Sequence, residues 1–153
     1  MVSEELDEGK MIQDTWKDYT GKPVMGENGF VTRVRVLNKN QVISENFYDE
    51  NMNKVNLDGE TYAQVDYTYD KMGNINREKF YDIDGQPVRC KDGYAIVYRE
   101  YDSAGRVVYE KFYDIDGFAI MLSDGAVSYR YEYDDNGEMI KRTKYDYMDK
   151  EVE

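Results

Sequence analysis

Several residue types that most catalytic and metal sites need are missing from this sequence. It contains no histidine and a single cysteine, Cys90. An intrachain disulfide, a Cys–His catalytic pair and the usual zinc sites are therefore excluded. Two prolines and twelve glycines are too few for a linker or collagen-like sequence. No apolar run approaches the ~18 residues of a membrane-spanning helix, which predicts no membrane insertion.

Positive charge is also scarce. The chain has 20 Lys and Arg against 32 Asp and Glu, a formal net charge of −12. Nucleic-acid binding needs a basic stripe, so the composition predicts no nucleic-acid partner and disfavours an anionic membrane surface. Met1 to Lys10 is acidic and unlike a signal peptide, so any export signal is expected to lie outside this sequence.

What the sequence has in abundance is tyrosine, sixteen residues of it. The segment Tyr94 to Gly117 shows how they are arranged: two Tyr-Asp-x-x-Gly turns, at Tyr101 to Gly105 and Tyr113 to Gly117, are joined by alternating residues of strand type. A tyrosine buries its ring while its hydroxyl stays in water, which suits a thin sheet with little dry interior.

Turn residues recur about every 32 positions, in three registers. The first contains Gly9, Asn40, Gly73, Gly105 and Gly137; the second contains Gly21, Met52, Gly85, Gly117 and Asp149; the third contains Gly29, Gly59, Gly93 and Gly125. Glycine and asparagine favour such positions because a tight turn usually needs a residue at positive φ. Met52 departs from this rule, so we expect a different turn geometry from Asp49 to Met52.

The pattern predicts an all-β fold, an elongated tandem array of antiparallel β-hairpins that is single-layered or solenoid-like. Propensity favours a helix from Glu4 to Trp16, but we reject it because Leu6 to Val24 aligns with Tyr133 to Val152. One continuous array is expected over residues 1–153: a partial repeat 1–16, repeats 17–47, 48–80, 81–112 and 113–144, and a partial repeat 145–153. First-register turns are expected at Asp7 to Gly9, Asn38 to Asn40, Asp70 to Gly73, Asp102 to Gly105 and Asp134 to Gly137.

Two aromatic columns adjoin in the second strand of each repeat. One consists of Trp16, Phe47, Phe80 and Phe112, and the other of Tyr48, Tyr81, Tyr113 and Tyr145. Neighbouring residues in a strand point to opposite faces, so the columns cannot share one core. The phenylalanines carry no polar group and are predicted to be buried, which places the tyrosines on the wetter side.

An aspartate follows each of these tyrosines, namely Asp49, Asp82, Asp114 and Asp146. An aromatic ring beside a carboxylate suits a sugar ring or a choline-type cation. Each such site would be weak, near millimolar or about −4 kcal/mol, and useful only when several bind one polymer. These eight residues are the candidate ligand-binding site, although packing between strands is an alternative role for the tyrosines.

The carboxylates of the repeats suggest two other kinds of chemistry. Asp82 and Asp84, like Asp114 and Asp116, resemble the opening of a calcium loop, but Asp-Gly is common turn chemistry and the later bidentate glutamate is missing. Carboxylate pairs for hydrolysis recur in register, as on a solvated face, rather than forming a unique constellation. The sequence therefore predicts no catalytic residue, no cofactor and no enzyme.

The pattern formed by Asp92-Gly93, Tyr98, Tyr101-Asp102, Gly105 and Val107 resembles the YD repeat of bacterial Rhs-type and wall-associated proteins. The resemblance covers nearly the whole chain. It implies a secreted or surface-attached β-rich scaffold without catalysis in the repeats. Some tyrosine-rich hairpin repeats of wall proteins bind glycans or choline, so the resemblance also implies such a ligand.

Three functions stay open. The first is a surface module that binds cell-wall or other carbohydrate polymer. The alternatives are a structural spacer and a protein-interaction scaffold, including an intracellular antitoxin-like repeat protein with a basic partner. Unpaired strand edges near Met11 to Trp16 or Lys141 to Tyr145 are also expected to cause self-association.

Overall fold

A computed structural model describes residues 1–153. The fold is all-β: β1 Val2–Leu6, β2 Met11–Thr15, β3 Thr32–Asn38, β4 Gln41–Tyr48, β5 Gln64–Tyr69, β6 Ile75–Tyr81, β7 Ile96–Tyr101, β8 Val107–Tyr113, β9 Ser128–Tyr133, β10 Met139–Tyr145 and β11 Glu151–Val152. Strands that follow one another in the chain are neighbours in one eleven-stranded open sheet. The predicted array of antiparallel hairpins is confirmed. No segment forms a helix of the length and apolarity needed to cross a bilayer.

The chain divides into two compact units. Unit 1 contains Met1–Tyr67 and Lys79–Lys91, and unit 2 contains Thr68–Glu78 and Asp92–Glu153. Each has its own buried aromatic residues, Phe47 and Phe80 in unit 1 and Phe112 and Tyr129 in unit 2.

The N-terminal segment is a hairpin, as the rejection of a helix predicted. In it β1 pairs with β2 from Val2 opposite Thr15 to Leu6 opposite Met11. The other side of β2 pairs with β3. Met11–Thr15 is therefore an interior strand, and the expectation of an unpaired edge there is wrong, because the residues before it form a strand of their own. Lys144 and Tyr145 pair with β11 on the side away from β9. Self-association stays a prediction.

The turns owe their shape to one backbone conformation and one side chain. Every glycine of the three registers has positive φ, between 75° and 93°. In the turn after β7, Asp102 accepts hydrogen bonds from the backbone N–H groups of Ala104 and Arg106. Those bonds fix the turn locally, since aspartate side chains readily mimic a backbone acceptor.

Met52 adopts the same turn geometry as the glycines, contrary to expectation. Its φ is 61°, and its N–H donates to the Asp49 carbonyl over 3.2 Å. The Asp49 carboxylate accepts from the backbone N–H groups of Asn51 and Asn53, as in the glycine turns. These bonds hold the turn in shape although a side chain at positive φ costs free energy.

The phenylalanine column is buried, as predicted. Phe47, Phe80 and Phe112 are 5%, 6% and 4% exposed. A ring from the third turn register lies against each of them, with centroids 5.2 Å apart for Phe30–Phe47, 4.6 Å for Tyr62–Phe80 and 4.9 Å for Tyr94–Phe112. In unit 2, Val97, Ala126 and Tyr129 complete a core around Phe112. The loops thus cover the phenylalanine side of the sheet, which we call the core face.

Beyond the phenylalanines, the core face is polar but internally paired. In unit 2, Arg99 bridges Glu78 over 2.7 Å and Glu110 over 2.8 Å, and Glu110 also accepts from the Tyr131 hydroxyl. In unit 1, the buried carboxylate of Asp14 is held by Arg33 and Arg35, each at 2.9 Å. Charged and tyrosine side chains on this face therefore act mainly on one another.

Candidate functional site

The tyrosine column lies on the sheet face opposite the phenylalanines. Tyr48, Tyr81 and Tyr113 each directly follow a buried phenylalanine of the same strand. Tyr145 lies opposite Ser128, which in turn lies opposite Lys111 on the Tyr113 side of β8. All four tyrosines are half-buried. We call this side the tyrosine face. The predicted separation of the two columns is therefore observed, and the tyrosine rings are only partly accessible rather than fully displayed.

In unit 2, strand register places the tyrosine-face side chains in two cross-strand rows. One row runs Tyr98, Lys111, Ser128 and Tyr145, and the other runs Glu100, Tyr109, Arg130 and Thr143. Directly opposite residues of an antiparallel pair lie close enough for their side chains to interact. Tyr98 and Tyr109 are diagonal neighbours across β7 and β8, and their rings meet edge-on with centroids 6.4 Å apart.

Two surface cavities lie along these rows. One, of about 210 Å³, is lined by Arg77, Ile96, Tyr98, Tyr113 and Gly117. The other, of about 390 Å³, is lined by residues that include Tyr109, Arg130, Glu132, Lys141 and Tyr145. Aromatic walls with a few polar groups are typical of small-molecule sites. Of the predicted site residues, Tyr113 contributes to the first cavity and Tyr145 to the second.

Basic side chains lie over the tyrosine rings. Lys79 Nζ is 5.2 Å from the centroid of Tyr81, and Lys111 Nζ is 5.8 Å from that of Tyr113. The guanidinium carbon of Arg130 is 5.3 Å from the centroid of Tyr145. A choline-type ligand would compete with these cations for the same ring quadrupole. These three rings are therefore already occupied on one side by a cation of the chain itself.

Arg130 also contacts a second ring. Its guanidinium carbon is 5.1 Å from the centroid of Tyr109, so the group is shared by the Tyr109 and Tyr145 rings. The exposed Arg130 is therefore held in place by aromatic rings. Arg99 on the core face is instead held by two carboxylates.

The predicted aspartates lie at turns and are engaged there. Asp82 accepts from the backbone N–H groups of Asp84 and Gln86, and Asp146 from those of Met148 and Lys150. Asp114 accepts from its neighbour Ile115. The backbone hydrogen bonds from Lys150 and Met148 lower the pKa of Asp146 below its usual value. The main role of these aspartates is to close turns.

The calcium alternative has no geometric support. The chain contains no group of three or more Asp, Glu, His or Cys side chains placed to hold a metal ion. Asp84 and Asp116 are exposed, and Asp116 accepts from the backbone N–H of Phe118 within its own turn. The aspartates of the Asp-Ile-Asp-Gly segments therefore act as turn residues, which is the interpretation that the sequence favoured.

A third cavity, of about 340 Å³, lies on the core face of unit 2. Its tyrosines use their hydroxyls internally: Tyr129 donates to Asp124, and Tyr131 donates to Glu110. Burial and the Asp124 carboxylate raise the pKa of Tyr129 to about 12. Neither hydroxyl is poised to act as a nucleophile or base near neutral pH, which points to a stabilising role.

Sequence reasoning missed several residues of the tyrosine face, chiefly Arg77, Tyr98, Tyr109 and Arg130. Alternation along each strand indicates that Tyr109 shares a face with Tyr113, so part of the signal was present. Which residue of the next strand lies opposite depends on register, and unit 2 has register shifts at Glu100/Tyr101 and at Met139/Lys141. A one-residue shift moves a side chain to the other face.

Comparison with known proteins adds no relationship: no protein-family model matches the chain, and neither does any curated protein.

Proposed function

We propose that this chain is a non-enzymatic binding module for cell-wall or other carbohydrate polymer, secreted or surface-attached, and that the tyrosine face of unit 2 is the contact surface. The observation that carries the proposal is the cavity in which the rings of Tyr98 and Tyr113 adjoin the guanidinium of Arg77. A sugar can stack its C–H face on such a ring while its hydroxyls bond to a neighbouring polar group.

Weak individual sites fit a polymer better than a free sugar. The second cavity on the same face again combines tyrosine rings with polar groups, here Arg130 and Glu132. Two shallow sites that engage one chain gain affinity through effective concentration, without any new contact. The resemblance of the turn pattern to wall-associated repeats supports the same class of ligand.

The polar partners in this proposal differ from those that the sequence suggested. The turn aspartates are occupied by backbone N–H groups, as at Asp82. Hydroxyl recognition is therefore assigned chiefly to Arg77, Arg130 and Glu132, whose side chains are exposed. The tyrosines keep the role that was predicted for them.

A structural spacer or protein-interaction scaffold is the second candidate. The observation in its favour is that Tyr81, Tyr113 and Tyr145 are half-buried and covered on one side by Lys79, Lys111 and Arg130. Rings that serve only to pack strands and basic side chains together would look the same.

Retention on immobilised polysaccharides, measured together with thermal melting, tests the proposal. Replacing Tyr113 and Tyr145 together by alanine is expected to abolish retention while the protein still melts cooperatively. Tyr19→Ala is the matched control, because Tyr19 is fully exposed in a turn of unit 1. If the unchanged protein is retained by no wall or storage polysaccharide, the binding proposal fails and the spacer candidate stands.

A further inference from the structure

The tyrosine face of unit 2 differs in charge from the chain as a whole. Its strand positions carry four basic side chains, Arg77, Lys111, Arg130 and Lys141, against three acidic ones, Glu100, Glu132 and Glu151. The entire chain has a net charge of −12. Basic side chains are thus more frequent, relative to acidic ones, on this face than in the chain as a whole.

Part of this charge is balanced locally and part is not. Lys141 lies directly opposite Glu132 in the β9–β10 pair, and the Tyr98 hydroxyl donates to Glu100. Lys111 and Arg130 instead lie over tyrosine rings. A π face attracts a cation but does not neutralise it, so these side chains retain their positive charge for an external anion.

Arg130 is both exposed and held in position by two tyrosine rings. The rings of Tyr109 and Tyr145, 5.1 and 5.3 Å from its guanidinium carbon, fix its position while the residue stays exposed. A pre-positioned guanidinium loses less conformational entropy when it binds, and its fork of N–H groups matches a carboxylate or a phosphate. Arg77 offers a second guanidinium in the smaller cavity of the face.

Unit 1 provides an internal comparison. Its tyrosine face carries neutral polar side chains at the corresponding strand positions, such as Gln13, Thr32, Asn46 and Gln64. Thr15 and Thr32 approach each other over 3.3 Å there, and Asn46 donates to Ser44. In unit 1 the half-buried Lys79 also lies over a tyrosine ring, that of Tyr81, but the exposed arginines of this face, Arg77 and Arg130, occur in the strands of unit 2.

We infer that the ligand of this face is an anionic glycan polymer, one that carries carboxylate or phosphate groups beside its sugar or polyol units. The inference rests on the proposed function and specifies the class of polymer. Tyrosine rings accept the apolar face of each unit, while Arg130 and Arg77 bind its anionic groups. A neutral polymer would leave these basic side chains without a partner.

Affinity electrophoresis through gels that contain one polymer at a time tests this. Polygalacturonate and its fully methyl-esterified form share a backbone and differ only in charge, and poly(glycerol phosphate) supplies the phosphate case. We expect at least about tenfold stronger retardation by one of the two anionic polymers than by the ester, weakened between about 50 and 200 mM salt. Arg130→Gln is expected to lose at least about fivefold of that retardation.

Arg142→Gln is the matched control, since Arg142 is an exposed arginine of unit 2 that lies 4.5 Å from the Tyr129 ring on the core face. It removes the same charge and the same kind of contact, and less than about a twofold change is expected. Equal retardation by the ester would overturn the anionic inference while the glycan proposal survives. No retardation by any polymer would overturn both, and equally strong, Arg130-dependent binding of single-stranded DNA would show a general polyanion surface instead.

Discussion

Phe112 and Tyr113 are consecutive residues of β8 that lie on opposite faces of the sheet. Phe112 is 4% exposed and packs against Tyr94 and Tyr129, whereas Tyr113 lines an open cavity beside Arg77. Strand geometry imposes this alternation. One residue therefore belongs to the core and the next to the candidate binding surface.

The two residues should respond differently to truncation. Phe112→Ala removes a buried ring and is expected to cost about 3 to 5 kcal/mol of unfolding free energy. Tyr113→Ala removes a half-buried ring and should cost only about 1 kcal/mol. Urea unfolding monitored by circular dichroism measures both. Equal losses would mean that Tyr113 is a core residue and would remove it from the candidate site.

The turn at Met52 offers a stabilising substitution. Met52 has φ 61°, where a side chain is strained, so Met52→Gly is expected to stabilise the protein by about 1 kcal/mol. Met72 is a suitable control because it is an exposed turn methionine that is not at positive φ. Met72→Gly should bring no gain. A shift of the melting midpoint that is the same for both variants would contradict the role of φ.

The opposite substitution, of a turn glycine by a larger residue, can be made at Gly105. A Cβ there would meet only Asn74 Oδ1, at 3.8 Å, so space is not the constraint. Its φ of 79° is the constraint, and Gly105→Val is expected to cost about 1 to 2 kcal/mol or more. An unchanged melting midpoint would show that the turn can relax to another type.

Asp14 is a second point at which one substitution should have a large effect. Its carboxylate is 1% exposed and accepts from the Ser3 hydroxyl and from both Arg33 and Arg35. Asp14→Asn would leave two arginines without their anion, and a loss of about 2 to 3 kcal/mol is expected. Asp135→Asn, at an exposed turn carboxylate, is the control and should change stability by less than about 0.5 kcal/mol.

Stability should fall in acid. Burial alone would raise the pKa of Asp14, but hydrogen bonds from Ser3, Arg33 and Arg35 outweigh it and lower that pKa. Backbone hydrogen bonds lower the pKa of the half-buried turn residues Asp49 and Asp102. A depressed folded-state pKa contributes stability above the unfolded-state value, near 3.8, and the contribution is lost as pH falls through the folded-state value.

The expected profile is therefore nearly flat from pH 7 to about 5, with a decline that steepens below about pH 4. Urea midpoints at stepped pH measure it. Asp14→Asn should flatten part of the decline as well as lowering the plateau. A midpoint that rises on acidification would show that repulsion among the acidic side chains outweighs these hydrogen bonds.

Much of the architecture was readable from the sequence because its causes are local. Positive φ at Gly105 and its equivalents, the aspartate that closes each turn and the strict alternation of Phe112 with Tyr113 all depend on residues within a few positions of one another. The N-terminal hairpin is an exception, because local propensity favoured a helix there and only the alignment of Leu6 to Val24 with Tyr133 to Val152 argued against it.

The error at Met52 has a local cause as well. The residue type argued for another turn, but the hydrogen bonds that Asp49 accepts from Asn51 and Asn53 hold the glycine geometry. The edge wrongly expected at Met11 has a different origin. It required knowing that Val2–Leu6 would pair with β2.

The sequence by itself determined the turns, the strands and which aromatic column is buried, since each follows from backbone conformation and period-two alternation. Only the tertiary structure decided that Arg99 is paired with Glu78 and Glu110 while Arg130 lies between Tyr109 and Tyr145. Both arginines lie in strands, and Arg99 is half-buried whereas Arg130 is exposed. Their difference comes from cross-strand register, which links residues from 11 to 21 positions apart and changes at each β-bulge, so no local pattern carries it.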